Sequence, residues 1–162
     1  MQERWYYLTI ILGVILVDQL TKWLAVKFLM PVGSVPLWKG VLHLTYLENR
    51  GAAFGMLADC RAVFMVASIL GLTGFALYLF GKKEKESLLD IGLAMVIGGG
   101  IGNMIDRTIL GYVVDFIDFT LIDFAIFNGA DSFVCVGAGV MVLAMVLAII
   151  KEGKKNEHHT DS

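Results

Sequence analysis

Four carboxylates interrupt one apolar stretch of the chain, and their setting is suited to acid–base chemistry. Asp115 and Asp131 bracket the run VVDFIDFTLIDFAIFNGAD (113–131), and Asp118 and Asp123 lie between them. An isolated charge is very costly to bury, so carboxylates among Val, Phe, Ile and Leu must be solvated, paired or protonated. Two carboxylates held close together in a low-dielectric pocket do not both ionise readily, and their titrations separate into an acid and a base. We therefore hypothesise that Asp115 and Asp131 form such a pair.

Asp118 is the main rival to Asp115, because only three positions separate them. Successive side chains of an extended segment point to opposite faces, so this odd spacing directs Asp118 away from Asp115. The roles of Asp118 and Asp123 stay open. Asp18 and Lys22 are a second set of charges in an apolar run, and their spacing of four places them on one helix face. We expect them to pair, either as a structural lock between helices or with a functional role, which is direct catalysis or the positioning of a site.

The chain that carries these residues is too apolar for an ordinary soluble domain. Of its 162 residues, 57% are hydrophobic and 17% are charged, and the mean hydropathy is +0.75. With a net charge of −2 and no basic face, nucleic acid is not expected as a partner. A bilayer core about 30 Å thick needs about 20 apolar residues in a helix. The sequence predicts one domain (1–162), a polytopic α-helical membrane protein with four transmembrane helices near 5–29, 62–81, 88–105 and 132–150.

The segments outside the four spans are predicted to include a small extracytoplasmic β-sheet. Residues 40–47 (GVLHLTYL) and 112–119 are rich in β-branched and aromatic residues with partial alternation, which is typical of strands. We expect this sheet to lie at the outer membrane surface. The predicted segments are an outer β/loop region (31–61), an acidic outer connection (106–131) and a disordered tail (151–162).

Lysine and arginine residues predict the orientation in the membrane. Seven of them lie near the two termini or between the second and third spans, and four lie on the opposite side. Because cytoplasmic segments carry the excess of basic residues, both termini are predicted in the cytoplasm and the acidic stretch on the extracytoplasmic side. The first apolar run is longer than a signal-peptide core and lacks a small-residue cleavage site, so we interpret it as a retained span.

Two further segments combine glycine with polar residues. In GGGIGNMIDR (98–107), the glycines permit close approach of another helix or of a ligand backbone. Asn103, Asp106 and Arg107 share one side of that helix. A packing face closed by an Asp106–Arg107 pair explains the segment equally well. Around Asn49 (ENRGAAFG), a turn is the simpler interpretation, and the alternative is that the Asn49 amide binds a substrate backbone.

No metal or cofactor is predicted. The sequence contains neither an HExxH motif nor a paired set of Cys and His ligands. It also lacks a GxSxG elbow and a convincing Ser–Lys pair. The two cysteines, Cys60 and Cys135, are interpreted as free thiols.

Five of these segments form an ordered pattern: DQLTK (18–22), NRGAAF (49–54), GGGIGNMIDR (98–107), VVDF (113–116) and FNGAD (127–131). In this order, and over essentially the whole chain, they resemble the lipoprotein signal peptidase family, signal peptidase II. Two positions depart from the family's usual pattern. The family often has a proline shortly before the Phe-Asn, where this chain reads DFAI, and Gly129 stands where a branched aliphatic residue is usual.

The resemblance implies an intramembrane aspartyl endopeptidase of the bacterial cytoplasmic membrane. Such an enzyme removes the signal peptide from diacylglyceryl-modified prolipoproteins by cleaving before the lipidated cysteine, and its partners are that substrate and membrane lipid. By motif position the catalytic pair is Asp115 and Asp131, which activate water without a cofactor. A monomer is expected. The implied binding or supporting residues are Asn49, Gly51, Asn103, Arg107, Asn128, Asp18 and Lys22.

Two other classes of protein share some of these features. A small proton-coupled transporter also carries intramembrane carboxylates and an Asp–Lys pair. The sequence has no inverted repeat or pair of broken helices, which argues against this class. A non-enzymatic membrane scaffold explains the glycine-rich span but not the carboxylates.

Overall fold

The part of the chain that the structure describes forms four helices and three short strands. The computed structural model describes residues 2–51, 61–82 and 87–160. In chain order the elements are α1 (Gln2–Leu24), which continues into a π-helical turn (Ala25–Leu29), β1 (Ser34–Trp38), β2 (Leu42–Asn49), α2 (Arg61–Gly81), α3 (Ser87–Ile109), β3 (Val113–Asp118), a 3-10 turn (Thr120–Ile122) and α4 (Gly129–Thr160).

Among the described residues, three helical segments are long and apolar enough to cross a membrane. These are Trp5–Leu29, Leu88–Ile109 and Gly129–Gly153, and the apolar part of α2, Met65–Gly81, is shorter. Many of their large apolar side chains are exposed on the outside of the bundle, as a bilayer-facing surface requires. Together with a three-stranded sheet, these helices confirm the predicted fold class of a helical membrane protein with a small β region.

Helix α3 is the centre of the bundle and packs against α1, α2 and α4. Its glycines make this packing close. A Cβ atom at Gly99 would lie 2.5 Å from the backbone oxygen of Ala130 on α4, and one at Gly102 would lie 2.5 Å from Oδ2 of Asp18 on α1. Real side chains do not approach that closely, so only glycine fits at these two positions. The glycine-rich segment is therefore the place where three helices meet, as its composition predicted.

The strands form one antiparallel sheet in the order β1-β2-β3 at the end of the bundle where α1 and α3 end and α4 begins. Ala25 and Leu29 of the π-helical turn pack against Val114 and Phe116 of β3, which fixes the sheet to α1. The N–H groups of Phe116 and Ile117 both donate to the Phe127 oxygen, at 3.0 and 2.8 Å. Strict alternation of side chains along β3 is lost at this irregularity.

Three predicted boundaries differ from the structure. Helix α3 extends to Ile109 and α4 begins at Gly129, so the connection predicted over 106–131 is shorter and its end residues are helical. The tail predicted to be disordered from residue 151 is helical as far as Thr160. Its lysines and glutamates are good helix formers, and they extend a helix that has already been nucleated inside the bundle.

Candidate active site

The start of α4 holds Asp131 in a fixed position. Asn128 is the residue before the first turn, and its Oδ1 accepts the backbone N–H of Asp131 at 3.0 Å. In return, Oδ2 of Asp131 accepts the backbone N–H of Asn128 at 3.3 Å. This reciprocal arrangement is a capping box in which Asp131 occupies the third helical position. The carboxylate is therefore held by the first turn of its own helix.

Strand β3 brings Asp115 to the same place. Its side chain is 1% exposed, and both of its oxygens accept hydrogen bonds from amides. Asn49 at the end of β2 donates Nδ2–H to Oδ2 at 2.9 Å, and Asn128 donates Nδ2–H to Oδ1 at 2.6 Å. The backbone N–H of Gly51 donates to Oδ1 of Asn49 at 3.1 Å, which orients that amide. Asn49, Gly51 and Asn128 thus act together on Asp115.

A third amide completes the connection between the two carboxylates. Asn103 of α3 donates Nδ2–H to Oδ1 of Asp131 at 2.7 Å. Its Oδ1 accepts an N–H from Asn128 at 3.1 Å. The hydrogen bonds therefore run from Asp115 through Asn128 and Asn103 to Asp131. Each carboxylate receives two N–H donors, which is an environment built to hold negative charge close to a second acid.

Both carboxylates line one cavity of about 420 Å³. One wall is polar and the other is apolar, supplied by the segment that leads into α4. Such a mixture of apolar walls and a few convergent polar groups is typical of a binding site. The lining residues are Asn49, Asn103, Arg107, Val113, Asp115, Phe124, Ala125, Ile126, Phe127, Asp131, Ser132 and Cys135.

Burial makes the Asp115 carboxyl a weaker acid than an exposed aspartate. Removal from water raises the pKa of the Asp115 carboxyl to about 6, and the charge of Asp131 acts in the same direction. The hydrogen bonds from Asn49 and Asn128 and the charge of Lys22 oppose this rise. A carboxyl with a pKa near the working pH can both hold and release a proton, which general acid–base chemistry requires.

The predicted pair of Asp18 and Lys22 is present and includes a further acid. Lys22 Nζ lies 2.9 Å from Oδ2 of Asp18 and 3.0 Å from Oδ2 of Asp106. The same ammonium donates to Oδ1 of Asn103 at 2.9 Å. Asp106 is thus a member of the site region that was not among the predicted site residues. The sequence did contain one indication of this role, because Asp106 follows Asn103 by three positions and therefore shares its side of the helix.

Four other predicted residues fall in different places. Arg107 lines the cavity, and its Nη1 donates to the Asn103 backbone oxygen at 3.5 Å. Asp118 does not line the cavity, and its carboxylate accepts a hydrogen bond from Thr45 at 2.7 Å. Side chains do not alternate strictly along β3, so alternation alone does not explain why Asp118 and Asp115 lie apart. Asp123 has a left-handed backbone, with φ of 48°. Cys60 and the AAF part of the second motif lie outside the described residues.

Sequence reasoning missed Ser132, Cys135 and the apolar wall of the cavity. Cys135 follows Asp131 by four positions on α4, so helical spacing alone indicates that the two share a face. In the described part of the chain, no group of three His, Cys, Asp or Glu side chains is placed to hold a metal ion.

Comparison with known proteins places this arrangement in context. Residues 10–147 match the family model described as signal peptidase (SPase) II. The lipoprotein signal peptidase of Caldanaerobacter subterraneus subsp. tengcongensis is 50% identical over 140 residues, which cover 86% of this chain and 94% of that protein. The lipoprotein signal peptidase of Brevibacillus brevis is 43% identical over 152 residues, covering 94% of this chain and 99% of that protein.

Two solved structures share the fold. A bacterial membrane enzyme structure obtained by the in meso method at 2.3 Å resolution superposes with a TM-score of 0.76 at 31% identity, covering 93% of this chain and 90% of that one. A second, at 1.9 Å resolution, superposes with a TM-score of 0.75 at 32% identity, covering 86% of this chain and 92% of that one.

Proposed function

Because the chain belongs to the signal peptidase II family, we propose that it removes the signal peptide from diacylglyceryl-modified prolipoproteins by cleaving before the lipidated cysteine. The chain is a protease of a bacterial membrane. The observation that carries the finer proposal is that Asp115 and Asp131 line one cavity and are joined through the amide of Asn128. Two carboxyls on one cavity with a shared amide between them support the assignment of an aspartyl dyad.

The dyad performs hydrolysis with one proton shared between its two carboxyls. The ionised carboxylate takes a proton from a water molecule in the cavity, and the water oxygen attacks the scissile carbonyl carbon. The protonated carboxyl donates to the carbonyl oxygen as negative charge develops there. The tetrahedral intermediate then collapses, the carbon–nitrogen bond breaks, and a carboxyl gives its proton to the leaving amine.

Arg107 is the cation that lines the same cavity. It is therefore the side chain we assign to stabilising charge that develops on the substrate or to holding the substrate backbone. Asn49, Asn103 and Asn128 have a different role in this proposal. Their amides are hydrogen-bonded to the carboxylates, so they hold the dyad in place instead of binding the substrate.

The apolar wall of the cavity fits an apolar peptide. Phe124, Ala125, Ile126 and Phe127 line it, and the rings of Phe124 and Phe127 pack edge to face with centroids 5.9 Å apart. A signal peptide is an apolar segment, and the acyl chains of the lipidated cysteine stay in the bilayer. A site at the end of a membrane-spanning bundle reaches the cleavage point without extracting those chains from lipid.

The site belongs on the extracytoplasmic side in this proposal. The sheet and the two carboxylates lie at the end of the bundle opposite both chain termini, because α1 begins and α4 ends at the far end. The excess of lysine and arginine near the termini directs those ends to the cytoplasm. The protein acts as a monomer in this proposal, since all the proposed catalytic and supporting groups come from one chain.

Cleavage of a diacylglyceryl-modified prolipoprotein by the purified protein tests this function. We expect Asp115→Asn and Asp131→Asn each to abolish detectable cleavage while the protein stays folded, and Asp118→Asn to retain it. EDTA is expected to have no effect. Failure of the wild type to cleave the lipidated substrate, or substantial activity of either dyad variant, would contradict the proposal.

A further inference from the structure

One buried ammonium group has all three of its N–H bonds directed at acceptors. Lys22 Nζ meets Oδ2 of Asp18 at 2.9 Å, Oδ2 of Asp106 at 3.0 Å and Oδ1 of Asn103 at 2.9 Å. Lys22 is 3% exposed, Asp106 is 3% exposed and Asp18 is fully buried. Removing one cation and two anions from water is expensive, so a cluster of this kind is weak evidence for stability alone. A functional reason is needed.

The two carboxylates around Lys22 share a second feature. Asp106 Oδ2 accepts the backbone N–H of Val114 at 3.1 Å, and Asp18 Oδ1 accepts the backbone N–H of Ala130 at 2.8 Å. Val114 immediately precedes Asp115, and Ala130 immediately precedes Asp131. Each carboxylate that binds Lys22 therefore also holds the backbone N–H of the residue that precedes one member of the proposed dyad.

The two held peptide groups would otherwise be difficult to fix in place. The N–H of Ala130 is in the first turn of α4, where no helical carbonyl is available to accept it. Asp18 supplies that acceptor from another helix. The N–H of Val114 lies near the start of β3, and Asp106 supplies its acceptor from α3. Lys22 joins these two anchors at a single atom.

The third contact of Lys22 acts on an amide. Because Oδ1 of Asn103 accepts hydrogen bonds from Lys22 and Asn128, the opposite side of this amide must be its NH2 group. That NH2 group donates to Oδ1 of Asp131 at 2.7 Å. The ammonium thus decides which way the Asn103 amide faces, and it selects the orientation that supports Asp131.

We infer that Lys22, Asp18 and Asp106 form a positioning device, the lysine clamp, that sets the spacing of Asp115 and Asp131 through the peptide N–H groups of Val114 and Ala130. This inference rests on the proposed aspartyl mechanism. The three clamp residues are not among those that line the cavity. They are positioning residues, and they act on the transition state because the dyad must meet the scissile carbonyl at a defined separation.

Gln19 is a neutral side chain that contacts both carboxylates of the clamp. Its Nε2 lies 3.0 Å from Oδ1 of Asp106, 3.2 Å from Oδ2 of Asp18 and 3.2 Å from the Gly102 backbone oxygen. The amide therefore bridges the same two carboxylates on the side away from their peptide partners. This contact keeps their oxygens directed at Val114 and Ala130.

A second ion pair, in which the carboxylate is fully buried and the lysine side chain is 15% exposed, provides a control. Lys82 Nζ lies 2.6 Å from Oδ1 of Asp90, which is fully buried and also accepts a hydrogen bond from Tyr7. This pair joins α1, α3 and the residue after α2 at the opposite end of the bundle from the dyad. If buried ion pairs matter only because they hold helices together, variants of the two clusters will have the same kinetic consequences.

The first experiment compares kinetics per folded molecule. Lys22→Met removes all three donors. Asp18→Asn leaves one side-chain oxygen, whereas Lys22 and the Ala130 N–H need one oxygen each. Asp106→Leu removes the oxygen that accepts the Val114 N–H. We expect each to lower kcat about 100-fold, as a displacement near 1 Å does, while KM changes less than about threefold. The controls Lys82→Met, Asp90→Asn and Asp90→Leu are expected to lower thermal stability and leave kcat unchanged.

A second measurement does not depend on catalysis. Hydrogen exchange of the Val114 and Ala130 amides reports their hydrogen bonds directly. Asp18→Asn is expected to speed exchange at the Ala130 amide and not at the Val114 amide. Asp106→Leu is expected to speed exchange at Val114 and not at Ala130. Lys22→Met is expected to speed exchange at both amides. The controls at Lys82 and Asp90 should leave both amides protected. Even if Lys22→Met fails to fold, the two carboxylate variants keep the test complete.

The outcomes separate the clamp from the mechanism on which it rests. Unchanged exchange at both amides, or a kcat per folded molecule equal to that of the controls, would overturn the clamp. Retained cleavage by Asp115→Asn or Asp131→Asn overturns the aspartyl mechanism instead, whatever the exchange data show. Loss of cleavage in the dyad variants, with the site-specific exchange pattern and the drop in kcat, supports both.

Discussion

Asn128 and Asp131 cap each other at the start of α4, with the Asp131 N–H 3.0 Å from Oδ1 of Asn128 and the Asn128 N–H 3.3 Å from Oδ2 of Asp131. The same Asn128 side chain donates to Asp115 at 2.6 Å. One residue therefore begins the helix and also connects the two carboxylates. Its two functions are separable by substitution, because a helix cap needs only an oxygen whereas the connection needs an amide.

Replacing Asn128 by serine tests this separation. Serine is a good N-cap but has no NH2 group for Asp115, so we expect near-normal thermal stability with a fall in kcat of about 100-fold or more. Asn128→Ala loses both functions and should in addition lower the free energy of unfolding by about 1 kcal/mol. Thermal melts and cleavage rates of the two variants, measured side by side, check this. Equal cleavage by Asn128→Ser and wild type would exclude a role for the amide.

The raised pKa of Asp115 predicts how stability depends on pH. Its carboxyl titrates near 3.8 when unfolded and at about 6 in the folded protein, mainly because of burial. The folded state therefore binds the proton more tightly. The stability that this tighter proton binding by Asp115 provides is present in full below about pH 4, and it is lost as the pH rises through about 6. Over that window the free energy of unfolding should fall by about 3 kcal/mol.

Asp115→Asn isolates this contribution, since an amide does not titrate. The variant is expected to lose the decline in stability between about pH 4 and 6, so that its stability stays level where that of the wild type falls. Thermal melts of both proteins across this pH range give the comparison. If the two curves stay parallel, Asp115 is not the group whose pKa is raised.

Close packing at Gly99 predicts a steric effect on the site. A Cβ there would lie 2.5 Å from the backbone oxygen of Ala130, so Gly99→Ala must push α4 away from α3 and displace Asp131. We expect strongly reduced cleavage and a lower melting temperature. Gly139→Ala on α4 is the matched control, because no atom lies within 4 Å of its added methyl group. It should be active and slightly more stable, since alanine favours the helix by up to about 1 kcal/mol.

Local patterns in the sequence predicted much of this structure. Hydropathy located the helices, alternation located β2 and β3, and helical spacing paired Asp18 with Lys22. These features depend on neighbours within one turn or one strand, and such short-range geometry is fixed by the backbone period. The glycine-rich segment was likewise predictable as a close packing surface, because small residues have few other uses in a membrane helix.

Partners that are distant in the chain could not be predicted in the same way. Asp106 was considered as a partner of its neighbour Arg107, yet it pairs with Lys22 on another helix and holds the Val114 N–H. Asn49 reaches Asp115 across 66 positions. Such contacts depend on helix rotation and strand register, which hydrophobic periodicity restricts to a face but does not fix to an atom. The irregularity in β3 had no signal in the alternating pattern either.

The cavity itself can be tested through a natural thiol. Cys135 is exposed and lines the cavity one helical turn after Asp131. In a Cys60→Ser background, a bulky methanethiosulfonate on Cys135 should occupy the cavity and abolish cleavage, and prior binding of substrate should slow the labelling. Cys135→Ser leaves the cavity open and should retain cleavage. Turnover before and after labelling, with mass spectrometry to quantify the modification, is the measurement.

The neighbouring position supplies the control for this labelling. Val136 is 56% exposed, lies next to Cys135 on α4 and does not line the cavity. Val136→Cys, in a chain that carries Cys60→Ser and Cys135→Ser, places the same label about 100° around the helix. Labelling there should leave turnover unchanged. Equal loss of activity at both positions would mean that the label disturbs α4 in general, and full activity at both would mean that substrate does not enter this cavity.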